Sequence, residues 1–140
     1  MSIRSRRISI RHPRRQEPVL WIVDSEQWPR ACLRAELIER GYDPYGFVSI
    51  GDALESLSGG MSPKPKALVL ELRGQNLTVP TIEAIRNLKI PMILLGGGSE
   101  LNDPLIKQYQ WETLLKRPFS LGTVADLIQK FVPANIQGRD

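Results

Sequence analysis

This sequence predicts an α/β domain of the doubly wound type, a three-layer sandwich whose five-stranded parallel sheet carries helices on both faces. Three observations carry the prediction. Short apolar runs recur at Val19–Val23, Ala67–Leu70 and Met92–Leu95, and parallel strands buried on both faces read as such unbroken runs. Stretches with helical spacing lie between them, which is the alternation of a sheet wound with crossover helices. Each run also ends in a charged or glycine residue: Asp24, Glu71, Gly96 and, after Leu114-Leu115, Lys116-Arg117. In an open parallel sheet the carboxyl ends of the strands form the crevice where function sits.

The elements follow in order. Residues 1–17 are rich in Arg, Ser and Pro and read as a flexible basic arm. Residues 18–133 form the domain, and 134–140 a short tail. After strand Val19–Val23, a helix runs from about Pro29 to Arg40, with Pro29 suited to its first turn and Gly41 to its left-handed stop. Its apolar stripe reads as Trp28, Cys32, Ala35 and Ile38, flanked by Leu33 and Leu37. In that pattern Cys32 is a small core residue and Trp28 packs on the first helix, the alternative for Trp28 being a shield over the crevice.

A second strand is expected at about Pro44–Val48, and Ser49 caps a short helix that turns Ala53, Leu54 and Leu57 inward. The Ser58–Pro65 stretch, with Gly59-Gly60 and two prolines, is a turn-rich connection. Strand Ala67–Leu70 leads to a helix near Thr81–Leu88 whose buried residues are Ile82, Ile85 and Leu88. Strand Met92–Leu95 leads to a poorly patterned segment, Ser99–Gln110, read as a short or irregular helix. Strand Thr113–Leu115 precedes a last helix capped by Ser120, with Val124, Leu127, Ile128 and Phe131 along one stripe and Pro133 beyond its end.

Composition narrows the function. The single cysteine, Cys32, excludes an internal disulfide, and the single histidine, His12, lies outside the strand–helix region. A histidine general base or a His/Cys metal centre in the domain is thereby excluded. No apolar stretch approaches the length of a bilayer span, and the arginine-rich start lacks a signal-peptide core, so the expectation is a cytoplasmic protein with no membrane contact. The formal charge of +4 divides unevenly: residues 1–17 carry +5, through Arg4, Arg6, Arg7, Arg11, Arg14 and Arg15 against Glu17, and the rest carry −1. Nucleic acid is therefore a partner only through the arm, where arginines neutralise phosphates. A solvated arm with no dedicated partner is the alternative reading.

Four stretches in order, Leu20-Trp21-Ile22-Val23-Asp24-Ser25-Glu26, Pro65–Leu72, Ile90–Gly96 and Leu115-Lys116-Arg117-Pro118-Phe119-Ser120, resemble the response-regulator receiver domain, the flavodoxin-like (βα)5 module of two-component signalling. The resemblance covers roughly residues 18–132. It implies a phosphoacceptor Asp after the third strand, an acidic pair after the first that holds Mg²⁺ with it, a hydroxyl ending the fourth strand and a Lys ending the fifth.

The corresponding positions here differ. The acidic pocket reads Asp24, Ser25, Glu26, with Ser25 a poor ligand for an ion that asks for carboxylate and water oxygens. The phosphoacceptor position is Glu71, one methylene longer than Asp. The switch positions are Gly96, which has no hydroxyl, Leu114 in place of an aromatic, and Arg117 in place of Lys. A cis Arg117–Pro118 peptide is implied by the same turn in the family.

These departures make the expected protein a stand-alone degenerate receiver, with no catalytic residue and no cofactor, Mg²⁺ included. A cation held weakly by Asp24 and Glu71 is the lesser alternative. Glu71 pairs with Arg117, either as a fixed charge that holds a conformation or as a drifted acid. Gly96-Gly97-Gly98-Ser99-Glu100 is either a flexible loop or an anion-binding nest. The expected partners are a signalling protein (a kinase or regulator) or a second copy of the chain, docking on the face formed by the fourth helix segment, strand five and the last helix. The alternatives are a nucleic-acid-associated regulator using the arm, or a receiver phosphorylated at a non-standard site.

Overall fold

The computed structural model describes residues 16–134, so the six arginines of the arm and residues 135–140 lie outside the described residues. Eleven elements alternate along the described chain: β1 (Val19–Val23), α1 (Gln27–Glu39), β2 (Asp43–Phe47), α2 (Ile50–Ser58), β3 (Ala67–Glu71), α3 (Val79–Arg86), β4 (Met92–Gly96), α4 (Gly98–Leu101), α5 (Pro104–Lys107), β5 (Thr113–Lys116) and α6 (Leu121–Phe131). The sheet is wholly parallel with strand order β2-β1-β3-β4-β5. Its order reverses beside β1, which places β1 and β3 at the switch point where such sheets carry their crevice.

Strand periodicity splits the core in two. Leu20, Ile22, Ala67, Val69, Ile93 and Leu95 face α1 and α6, where they meet Leu33, Leu37, Val124 and Ile128. The alternate residues Trp21, Val23, Leu68, Leu70, Met92 and Leu94 face α2, α3 and α5, with Ile50, Ala53, Ile85 and Ile106. Trp21 is fully buried and meets Phe47 edge-on, the ring centroids 5.6 Å apart. The two edge strands are less buried than the three central ones, and at β5 the single-turn helices α4 and α5 leave Leu114 45% exposed.

Local signals place the helices. Ser49 accepts from the Asp52 N–H, Thr78 from that of Thr81 and Ser120 from that of Thr123, each closing the first turn of α2, α3 or α6. Gly41, with φ +97°, follows α1, as a left-handed stop requires. The irregular segment predicted at 99–110 is two single-turn helices, α4 and α5.

The buried stripe of α1 differs from the expected one. Leu33 and Leu37 face the core, while Trp28 is 77% exposed and Ala35 and Ile38 also face solvent. Cys32 is only half-buried, at the margin of the core. Trp28 accordingly neither packs on the first helix nor shields the crevice. The missing cover comes from arginine: the aliphatic stems of Arg30 and Arg34 lie against Gly46 of β2, and long basic side chains bury such stems readily.

Tyr42, fully buried at the start of β2, donates its hydroxyl to the Val132 carbonyl just past α6. Burial pushes its phenol pKa up, against the smaller opposing pull of the Arg40 charge. A phenol raised in the folded state stabilises fully below the unfolded value of about 10 and loses that contribution as pH climbs through the folded value. Stability should therefore fall as pH rises from about 10 through the folded value, and urea unfolding of Tyr42→Phe should show a flatter alkaline limb than the parent protein.

Candidate functional site

Four loops converge at the carboxyl end of the sheet. β1 ends in Asp24 and leads through Ser25-Glu26 into α1; β3 ends in Glu71 and leads to Arg73-Gly74. β4 ends in Gly96 and leads to Glu100 on α4, and β5 leads to Arg117. Asp24 and Glu71 are 6% and 3% exposed, and each is paired with an arginine. A charge that deep is retained only when it is paired and hydrogen-bonded.

Glu71 is satisfied at both oxygens. Oε1 accepts from Arg117 Nη1 at 2.5 Å, and Oε2 accepts from the Arg73 backbone N–H at 3.0 Å. Arg117 forks, its Nη2 donating to Glu100 Oε1 at 2.9 Å. That same oxygen accepts from the Gly97 N–H at 2.6 Å. The Arg117 backbone N–H donates to the Gly96 carbonyl at 2.8 Å, and the Arg117–Pro118 peptide is cis. One guanidinium thus links the ends of β3, β4 and β5.

A second guanidinium links β1 to β3. Arg73 Nη2 lies 3.2 Å from Asp24 Oδ1 and 3.4 Å from Oδ2, and Arg73 Nε lies 3.3 Å from Glu26 Oε2. Asp24 Oδ1 also accepts from the Glu26 N–H at 2.9 Å. Ser25 Oγ donates to the Arg73 carbonyl at 3.0 Å, and Arg30 Nη1 donates to the Asp24 carbonyl at 2.7 Å. Burial works against the charged form of Arg73. The hydrogen bond that Arg73 donates to Asp24 and the negative charges of Glu71, Asp24 and Glu26 outweigh it and push the guanidinium pKa up.

The predicted positions Asp24, Ser25, Glu26, Glu71, Gly96 and Arg117 therefore all reach this crevice, with Leu114 outside it on the exposed side of β5. Arg30 is an addition to the predicted residues, and Glu100, expected only as the end of the glycine loop, is an acid of the crevice. Glu100 explains Gly96: a Cβ there would come within 3.2 Å of Glu100 Oε1 and 3.3 Å of its Cβ, so the acid occupies space that a larger residue would need. It also corrects the anion-nest alternative, because a carboxylate of this chain already takes the Gly97 N–H. Arg73 bonds to Glu71 through its backbone N–H and to Asp24 through its side chain.

The residues do not fit a Mg²⁺ ion at this crevice. Such an ion needs near-octahedral oxygen ligands, whereas Arg73 sits on Asp24, Ser25 spends its hydroxyl on a carbonyl, and Glu71 has both oxygens engaged. Among the described residues no cluster of three His, Cys, Asp or Glu side chains is arranged to hold a metal ion.

The strand order and the position of the crevice define a flavodoxin-like α/β protein. Comparison with solved structures narrows this to the receiver-domain fold. A response regulator receiver domain protein from Clostridium thermocellum superposes with a TM-score of 0.67 at 14% identity, covering 82% of this chain and 94% of that one. The receiver domain of a Francisella response regulator gives 0.65 at 17% identity, with 81% and 95% covered. The receiver domain of NtrX from Brucella abortus gives 0.63 at 14%, with 79% and 95% covered. No family model matches the sequence and no curated protein matches it, so the likeness rests on the fold.

Proposed function

We propose that this chain is a degenerate receiver that acts as a phosphorylation-independent, non-enzymatic interaction module in bacterial signal transduction. The observation that carries the reading is the state of Glu71, a buried carboxylate whose two oxygens accept from Arg117 and from the Arg73 N–H. The two hydrogen bonds draw electron density from the carboxylate oxygens and fix their direction, and catalysis falls by on the order of 100-fold for a misplacement of about 1 Å. Glu71 acts instead as a fixed charge that holds the ends of β3, β4 and β5 together. Asp24 is then the retained acid of a degenerate pocket with Ser25 and Glu26, and Gly96, Leu114 and Arg117 are the altered positions of a former switch.

The partner in this reading is a signalling protein, a kinase or regulator, or a second copy of the chain. It docks on the face of α4, β5 and α6, where Leu114 and Leu121 are both more than 40% exposed. Incubation of the full chain with acetyl phosphate and Mg²⁺ should leave its intact mass unchanged. A Mg²⁺-dependent phosphate adduct, at Glu71 or elsewhere, would overturn the proposal. No helix among the described residues is long and apolar enough to cross a membrane.

The charge division of the sequence favours one other reading, a nucleic-acid-associated regulator whose affinity lies in residues 1–17. Binding lost entirely on deleting those residues, with a steep salt dependence in the intact chain, would favour it.

A further inference from the structure

We propose that Arg73 is a tethered cation, a guanidinium supplied by the chain itself at the place between the β1–α1 and β3–α3 loops where a free cation would otherwise be required. The inference rests on the reading above that the crevice takes no phosphate, and it goes further in assigning what replaced the metal. Two carboxylates from the first loop, Asp24 and Glu26, converge on one guanidinium at 3.2 and 3.3 Å. Without Arg73, buried Asp24 would face the exposed Glu26 and buried Glu71 with no cation between them, and like charges so placed repel.

Arg73 is also fixed at its main chain. Its N–H donates to Glu71 and its carbonyl accepts from Ser25 Oγ at 3.0 Å. Ser25, a poor metal ligand, is thus a positioning residue for the cation that stands in for a metal. Gly74 follows with φ +76°, and a Cβ at that position would fall 2.5 Å from Ser25 Oγ. Glycine there lets the chain turn directly beneath the serine and carry the guanidinium back over the first loop. A covalently attached cation has no dissociation equilibrium, so the two loops stay joined at every divalent-ion concentration.

The test is the thermal midpoint of the full-length Arg73→Ala variant, titrated separately with guanidinium, MgCl₂ and MnCl₂. The variant should melt below the parent protein, and guanidinium or a divalent ion should raise its midpoint saturably, at about 10–50 mM for a weak one-site ligand. The parent protein should show no such rise, and the Asp24→Asn/Arg73→Ala double variant should lose it. An Arg73→Ala midpoint equal to the parent's, no rescue by any of the three ions, or equal rescue in the double variant would each overturn the proposal.

Should Arg73→Ala fail to fold, Arg73→Lys and Arg73→Gln supply the comparison. Lys should retain most of the stability without added ions and Gln should need them, while equal behaviour of the two would overturn the assignment. Failure here with an unphosphorylated parent protein removes only the tethered cation. A phosphate adduct on the parent protein removes the underlying reading instead.

Discussion

Arg117→Met should destabilise the fold by about 3 kcal/mol, the lower end of the range for stripping one partner from a buried ion pair. Glu71 keeps only 4% of its side chain in water, so the variant leaves a nearly dry carboxylate with a single backbone donor. The lower end applies because the Arg117 side chain is 33% exposed, and water can partly follow it out. Glu71→Gln should cost less, about 1–2 kcal/mol, because the amide still accepts from the Arg73 N–H and carries no charge to strand. The double variant should then be no less stable than Glu71→Gln alone, giving a coupling energy of about 3 kcal/mol across the pair. Urea midpoints at unchanged slope measure all three. Additive costs would mean that Arg117 stabilises through Glu100 rather than through Glu71.

Gly74→Ala should cost about 2–3 kcal/mol, combining a left-handed backbone conformation imposed on an L-residue with a steric clash. The added Cβ would sit 2.5 Å from Ser25 Oγ and 3.0 Å from Ser25 Cβ, so the serine must turn and release the Arg73 carbonyl. Introduced into a Ser25→Ala background, the same change loses its worst contact but keeps the strain at φ +76°. Its cost there should fall to about 1–2 kcal/mol, the backbone part alone. Chemical denaturation of the four-member cycle separates the two causes. An equal cost in both backgrounds would show that the serine yields freely.

The strands were legible because the apolar runs at 19–23, 67–70 and 92–95 stand alone between polar segments, and burial on both faces leaves few other readings. The caps at Ser49 and Ser120 were legible because each acts within three residues of itself. The phase of α1 was not. Trp28 and Ile38 dominate any hydrophobic pattern, whereas the cover actually supplied by the Arg30 and Arg34 stems is invisible to a scale that scores arginine as a charge.

The crevice was legible as a set of strand ends, but its wiring was not. Glu100 lies 17 residues from Arg117, and Asp24 lies 49 from Arg73. Nothing local in one sequence tells which acid meets which base. Gly96 had the plainest available signal, a glycine at a position where a hydroxyl was expected. Its meaning became visible only with the Glu100 carboxylate beside it.

The uneven clothing of the sheet has a dynamic consequence. At the β1–β3 centre, helices of many turns cover both surfaces, and opening there requires the whole molecule to unfold. At the β5 margin only single-turn helices stand on one side, and a half-bare leucine marks the gap. Hydrogen exchange should therefore find the amide protons of α4, α5 and the outer strand exchanging through small local openings, and those of β1, β3 and β4 only on global unfolding. The protein has a stiff flank and a yielding one. The Arg117 fork, rising from the end of the yielding strand, ties that strand and Glu100 to Glu71 in the stiff part and so limits how far the flank opens.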